Sequence, residues 1–394
     1  MVRIFGSRLA ILAAAACAAL AIALPPGPAA AADPIKLGAA LSLTGRFSDS
    51  AKYVQEGYQF WSEEVNAKGG IAGRPVQIVT YDDESNPETG RVLAERLIDR
   101  DGVLAILGPY SSPITDAMAT ATERAEVPMI STIASDSSIW ERRKLRWSFQ
   151  GFPSSDFDHE GFLKILASKP GAVKRLAIVF EEAPFSIAAK EWALGKAKEM
   201  GLAVEAYGYA PGAQDFRSII ERIVASGADA VSMGGYYQPS IALTRQMTER
   251  GFNPTAYHFI QAADGVTKDA LGANAEAIFG RSAWEPTLET PASQAFTKAY
   301  QAKYGRLPSY HSAAAYAAGE LLAAAIKAKG ADRAGIRDFL ASTAVETVLG
   351  TYRVNAKGQQ EGYRYVTIQW QGGTSKIVGS AASAAIEWPK PAWK

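Results

Sequence analysis

Two hydroxyl-rich stretches, Ser111-Ser112 and Ser131-Thr132-Ile133-Ala134-Ser135-Asp136-Ser137-Ser138, carry the residue types in this chain best suited to holding an anion. Each follows a short apolar run, 104–107 and 129–130, that reads as a strand, and the first leads into a helical segment from Pro113. Hydroxyls and unpaired backbone N–H groups at a helix start receive a carboxylate, because the donors and the positive end of the helix dipole face it together. Plain N-capping by Ser111 or Ser112 is the competing reading. Two such strand ends side by side favour a site over two coincidental caps, since ligands of open parallel sheets sit beyond the carboxyl ends of the strands.

Other chemistries lack their residues. There is no Gly-x-Ser-x-Gly elbow, no Walker phosphate loop and no Gly-x-Gly-x-x-Gly after a strand, so no enzyme is expected. The three histidines, His159, His258 and His311, are far apart, and the one cysteine, Cys17, lies in the leader, so neither metal nor cofactor is expected. His159, flanked by Asp156, Asp158 and Glu160, invites a metal reading, but a solvated acidic start to the helix near Phe162 explains it as well. With 41 basic and 40 acidic residues and no long charge run, a nucleic acid or an anionic membrane surface is not an expected partner.

The elements that must position the serines are legible as an alternation. After Ser50, apolar residues at helical spacing (Tyr53, Val54, Gly57, Phe60, Trp61 and Val65) end at Gly69-Gly70, where positive φ can stop a helix. A β-branched strand follows at 76–81 and runs out at Asp82-Asp83. Further strands are expected at 35–41, 104–107, 129–130, 176–180, 204–209, 230–233, 256–260, 277–279 and 363–370. Helices are expected at 89–99, 113–125, 185–200, 216–225, 239–250, 291–304, 309–327 and 333–341. Alternation with short connections predicts parallel sheets covered by helices on both faces. The Gly/Pro/Ser/Asp-rich stretch GFPSSDFD marks a domain boundary at 149–153. At the N-terminus, Arg3 and Arg8, an apolar run from Leu9 to Leu24 and Ala30-Ala31-Ala32 lay out a secretory signal peptide, residues 1–32. Cys17 lacks the bulky aliphatic residue expected three positions before a lipidated cysteine. The remaining chain of about 360 residues exceeds the roughly 250–300 at which one core stops growing, so two domains are expected.

The segment from Val65 to Pro87, read with Gly108-Pro109-Tyr110-Ser111-Ser112, Gly234-Gly235-Tyr236 and Asp264-Gly265-Val266, resembles the leucine/isoleucine/valine-binding family of periplasmic solute receptors. The resemblance implies an α/β type I periplasmic binding fold: two Rossmann-like lobes with parallel sheets joined by three crossing strands. Domain I would be 33–149 plus 283–361, and domain II 150–282 plus 362–394. It implies that the ligand carboxylate is gripped by Ser111 or Ser112, by the backbone at Ile133 and by the Ser135 hydroxyl, and the ammonium by Tyr236 and Asp264. The turn at Pro109 is one residue shorter, and the loop before Asp264 one longer, than in the leucine-binding members, which leaves Ser111 against Ser112 open and helix capping as the other role for Asp264. Phe47, Phe185, Tyr236, Tyr237 and Trp284 are candidate pocket walls. The implied protein is a periplasmic monomer that binds an amino acid, branched-chain or aromatic, and delivers it to the membrane permease of an ABC importer. Receptors for aromatic carboxylic acids or for urea and short amides, and ligand-sensing domains for a signalling partner, share the architecture.

Overall fold

The computed structural model describes residues 33–380 and 383–394, so the signal-peptide reading of 1–32, with Cys17, lies outside the described residues. The chain opens with β1 (Ile35–Leu41), α1 (Ser48–Ala67), β2 (Val76–Asp82), α2 (Pro87–Asp99) and β3 (Ala105–Leu107), then α3 (Ser112–Ala125), β4 (Met129–Ser131), α4 (Ser138–Arg143) and β5 (Ser148–Gln150). These five strands form one wholly parallel sheet in the order β2-β1-β3-β4-β5. Helix α1 ends at the expected place, with Gly69 and Gly70 at φ of +91° and +78°. Asp82 and Asp83, at the end of β2, organise the loop after β1. Asp82 accepts from the Leu43 and Thr44 amides, and buried Asp83 accepts from Ser42 Oγ at 2.7 Å.

A 3₁₀ turn (Ser155–Phe157) leads to α5 (Glu160–Ala167), β6 (Arg175–Glu181), α6 (Pro184–Glu199), β7 (Ala203–Tyr209), α7 (Arg217–Ser226) and β8 (Ala230–Gly234). Next come α8 (Tyr237–Arg250), β9 (Ala256–Phe259), α9 (Thr267–Leu271) and β10 (Phe279–Ser282). The chain then forms α10 (Pro291–Tyr304), α11 (Tyr310–Lys329) and α12 (Arg333–Ser342), followed by a small hairpin, β11 (Val345–Thr347) and β12 (Gly350–Tyr352). Of these, α11 packs against α1 of the first sheet. The approach is close: an added methyl at Gly57 would meet the Ser312 carbonyl at 2.4 Å, and one at Gly319 would meet the Trp61 ring at 2.2 Å. Strands β13 (Val366–Gln371) and β14 (Thr374–Val378) close the second sheet, in the order β14-β13-β10-β9-β8-β6-β7.

That sheet departs from the expected all-parallel arrangement. β13 and β14 run antiparallel, joined by a turn at Gly372-Gly373 that brings the chain straight back instead of through a crossover helix. The strand expected at 277–279 begins two residues later because Ala277 takes a φ of +58°, which no strand residue holds. Residues 363–365, expected in a strand, instead tie the chain's second return to its first departure. The Tyr363 hydroxyl donates to the Gly151 carbonyl, and Tyr365 Oη donates to the Pro153 carbonyl at 2.7 Å. Asp158 and His159 are not at a solvated helix start. Both are 1% exposed, with Asp158 paired to Arg281 and His159 Nδ1 2.8 Å from Ser232 Oγ. Among the described residues no group of three or more His, Cys, Asp or Glu could hold a metal ion, and no helix is long and apolar enough to cross a membrane.

Candidate functional site

The strand ends of both sheets meet around one small cavity of about 20 Å³, room for little more than a water and far below the roughly 300–1,000 Å³ usual for small-molecule sites. From the first sheet come Tyr110, Ser111 and Ser112, after β3, and Ile133 and Ser135, after β4. Ser111 occupies the N-cap position of α3 but its side chain makes no capping hydrogen bond, and its Oγ, in a residue 1% exposed, has no hydrogen-bond partner. Ser112 Oγ, by contrast, accepts from the Asp136 amide at 3.3 Å and so ties the two loops together. The hydroxyl left uncommitted is therefore that of Ser111. Asp136 is engaged in its turn, accepting from Ser138 N and Oγ at the start of α4.

From the second sheet come Phe185 in the first turn of α6, Tyr236 at the N-cap of α8, Ile260 and Gln261 after β9, and Arg281 within β10. Tyr310, the first residue of α11, completes the wall. The Tyr236 ring lies 5.0 Å from Phe185 and 4.5 Å from Phe47. Phe47 itself does not line the cavity; it backs two residues that do, Tyr236 and Tyr110. Four of the expected residues on the first-sheet side (Ser111, Ser112, Ile133, Ser135) and two on the second (Phe185, Tyr236) are thus brought together.

Asp264 and Trp284 are placed elsewhere. Trp284 is fully buried, its indole N–H donating to Ser293 Oγ at 2.9 Å and its ring edge-on to Phe296, because it packs under α10. Asp264 accepts from Ser50 Oγ at 2.7 Å, and the same oxygen lies 3.5 Å from His311 Nδ1. Burial raises its pKa to about 6, the Ser50 hydrogen bond opposing, while burial and the charge of Arg281 lower that of His311 to about 3. At neutral pH, His311 is therefore uncharged. Gln261 stands on the wall instead, where its Nε2 donates to Tyr110 Oη at 2.8 Å and its Oε1 has no partner. Ser50–Asp264 and Tyr110–Gln261 both join first-sheet to second-sheet residues, as do Arg46–Glu181 at 3.2 Å and Gln238–Asp49 at 3.1 Å.

Gln261 and Arg281 were not singled out from the sequence. Gln261 follows the strand expected at 256–260 directly, and the strand-end rule used for the serines reaches it. Arg281 stands alone as a basic residue in the apolar stretch AIFGRSAW, a departure from strand patterning that signals a buried partner. That partner is Asp158, whose Oδ1 receives Arg281 Nε at 2.6 Å. The guanidinium also lies 4.3 Å from the Tyr365 ring. Burial works against its charge, but Asp158, Tyr365 and Tyr310 more than offset this and hold its pKa above the ordinary value.

Two sheets whose strand ends meet around one cavity set this architecture apart from a single nucleotide-binding domain. The sequence pattern of the periplasmic binding protein family matches residues 34–374, and the chain belongs to that family, in its leucine/isoleucine/valine-binding branch. Leu/Ile/Val-binding protein homolog 7 of Brucella suis biovar 1 is 29% identical over 387 residues, covering 93% of this chain and 96% of that one. The fold is similar to that of the branched-chain amino acid transporter substrate-binding protein LivJ of Streptococcus pneumoniae in complex with isoleucine, with a TM-score of 0.80, 23% identity and coverage of 91% and 100%. It is also similar to an ABC transporter solute-binding protein of R. palustris in complex with benzoate, with a TM-score of 0.77, 20% identity and coverage of 91% and 99%. The chain has the type I periplasmic binding fold, and it is a solute-binding protein of the ABC transporter type rather than an enzyme.

Proposed function

We propose that the protein is the periplasmic receptor of an ABC importer, holding a small carboxylate-bearing solute between two lobes and handing it to a membrane permease. The lobes are 33–149 plus 283–361 and 150–282 plus 362–394, hinged where Tyr363 and Tyr365 bond the 151–153 backbone. The observation that carries this reading is the cavity at the joined strand ends, with the uncommitted Ser111 hydroxyl at the N-terminus of α3. Ser111, Ile133 and Ser135 would take the carboxylate, and Phe185 and Tyr236, backed by Phe47, the rest of the solute. Closure would be secured by the cross-sheet bonds of Asp264, Gln261, Arg46 and Gln238.

Two ligand classes fit this frame. An amino acid, branched-chain or aromatic, would have its ammonium met by Gln261 Oε1 and the Tyr236 hydroxyl. An organic acid without an ammonium is favoured by one observation: the carboxylate expected to face the ammonium, Asp264, is engaged with Ser50 away from the wall. A thermal-shift screen against aliphatic and aromatic amino acids, benzoate-like acids, urea and short amides tests the proposal. Ligand at 100 times its dissociation constant adds about 2.7 kcal/mol, enough to move the midpoint by several degrees. A shift with any carboxylate supports the receptor reading, and silence across all carboxylates removes it.

A further inference from the structure

Helix starts crowd the cavity. Ser111 stands at the N-cap position of α3 and Tyr236 at that of α8, Phe185 lies in the first turn of α6 and Tyr310 opens α11, so four helices of 14, 14, 16 and 20 residues present their N-terminal ends to one small space. Each end brings the positive pole of a helix dipole. A dipole end alone is satisfied by water, but here a second feature points the same way. Arg281 is 6% exposed and lines the cavity; its Nε is committed to Asp158, while its Nη1 has no hydrogen-bond partner. A guanidinium offers donors in a planar fork that matches a carboxylate, and with one edge taken by Asp158 the other stays available.

The acids near this space each have one oxygen engaged and the other without a partner. Asp158 is on Arg281, Glu181 is on Arg46, and Asp264 accepts from Ser50. The described side chains that line the cavity therefore carry one cation, hydroxyls, an amide and apolar groups.

We propose that the solute is net anionic and that Arg281 reads its charge: an organic acid whose carboxylate is not balanced by an ammonium of its own, rather than a zwitterionic amino acid. This rests on the receptor reading above and narrows it. Arg281 acts by direct contact with the solute, and Asp158 holds the fork in place.

Calorimetric titration at pH 7.5 with matched pairs tests it: leucine against 4-methyl-2-oxopentanoate, and phenylalanine against phenylpyruvate and benzoate. The acids are expected to bind at least tenfold tighter than their amino-acid partners. Arg281→Gln should weaken the acids by about 10- to 100-fold, and Arg281→Lys, which keeps the charge but loses the fork, should fall between. Where Arg281→Gln alone melts early because it strands Asp158, the pair Asp158→Asn with Arg281→Gln removes both buried charges and supplies the same reading. Tighter binding of the amino acid, or acid affinity unchanged in a folded Arg281 variant, overturns the inference while leaving the receptor reading standing. Absence of binding by every carboxylate in the wild type overturns both.

Discussion

The two sides of the cavity are built differently. The first-sheet side is local: Ser111, Ser112, Ile133 and Ser135 come from two adjacent strand ends and offer hydroxyls and backbone at the starts of helices. The second-sheet side is assembled from three strand ends and a residue within β10, spread between Phe185 and Arg281, and it offers rings, an amide and a guanidinium. A hydroxyl at a helix start can donate to almost any carboxylate, so on the proposed receptor reading that side would supply grip. The other side carries groups that differ more in size and charge, so on the same reading it would supply selection.

Mutations can break this division, and the largest effect is expected from Tyr236→Ala. It removes a ring in contact with Phe47 and Phe185, and such truncations cost about 3–5 kcal/mol. The melting midpoint should fall by about 10 °C and solute binding should be lost; a midpoint within 2–3 °C of wild type, roughly 1 kcal/mol, would show that the aromatic group does not hold the second side. Ser111→Ala with Ser135→Ala should leave the midpoint nearly unchanged, since Ser111 Oγ has no partner to lose. Affinity should drop about 10- to 100-fold for all carboxylates alike, and a loss confined to one solute would move selectivity to the first side.

Asp264→Asn separates latch from ligand contact through pH. Burial raises the native pKa to about 6 from the ordinary 3.8, so the folded state binds the proton more tightly than the unfolded one. Stability from this group is complete below about pH 4 and is lost as pH rises through 6. Relative to wild type, the variant should therefore gain about 1–3 kcal/mol between pH 4 and 7, read by denaturant unfolding; parallel curves would mean that Asp264 titrates normally. The smallest effect is expected from Gln238→Ala, which loses one cross-sheet hydrogen bond to Asp49, worth about 0.5–1.5 kcal/mol. Small-angle scattering should show a slightly larger ligand-free radius and an unchanged bound one. An unchanged ligand-free radius would assign closure to the other cross-sheet bonds.

Periodicity and turn residues alone placed α1, its Gly69-Gly70 stop, most of the strands, and the two serine-bearing loops that open the cavity, because these features depend on neighbours a few residues away. The strand-end rule led to the loops that line the cavity on the first-sheet side. What only the tertiary structure decided are matters of partnership across the chain. Asp264 went to Ser50, Trp284 went beneath α10, and Asp158 became the buried counter-ion of Arg281 rather than a solvated helix start. A charged or aromatic side chain has no preference that its immediate sequence can express. Its role is set by which distant group shares its burial, and so Gln261 rather than Asp264 stands on the wall.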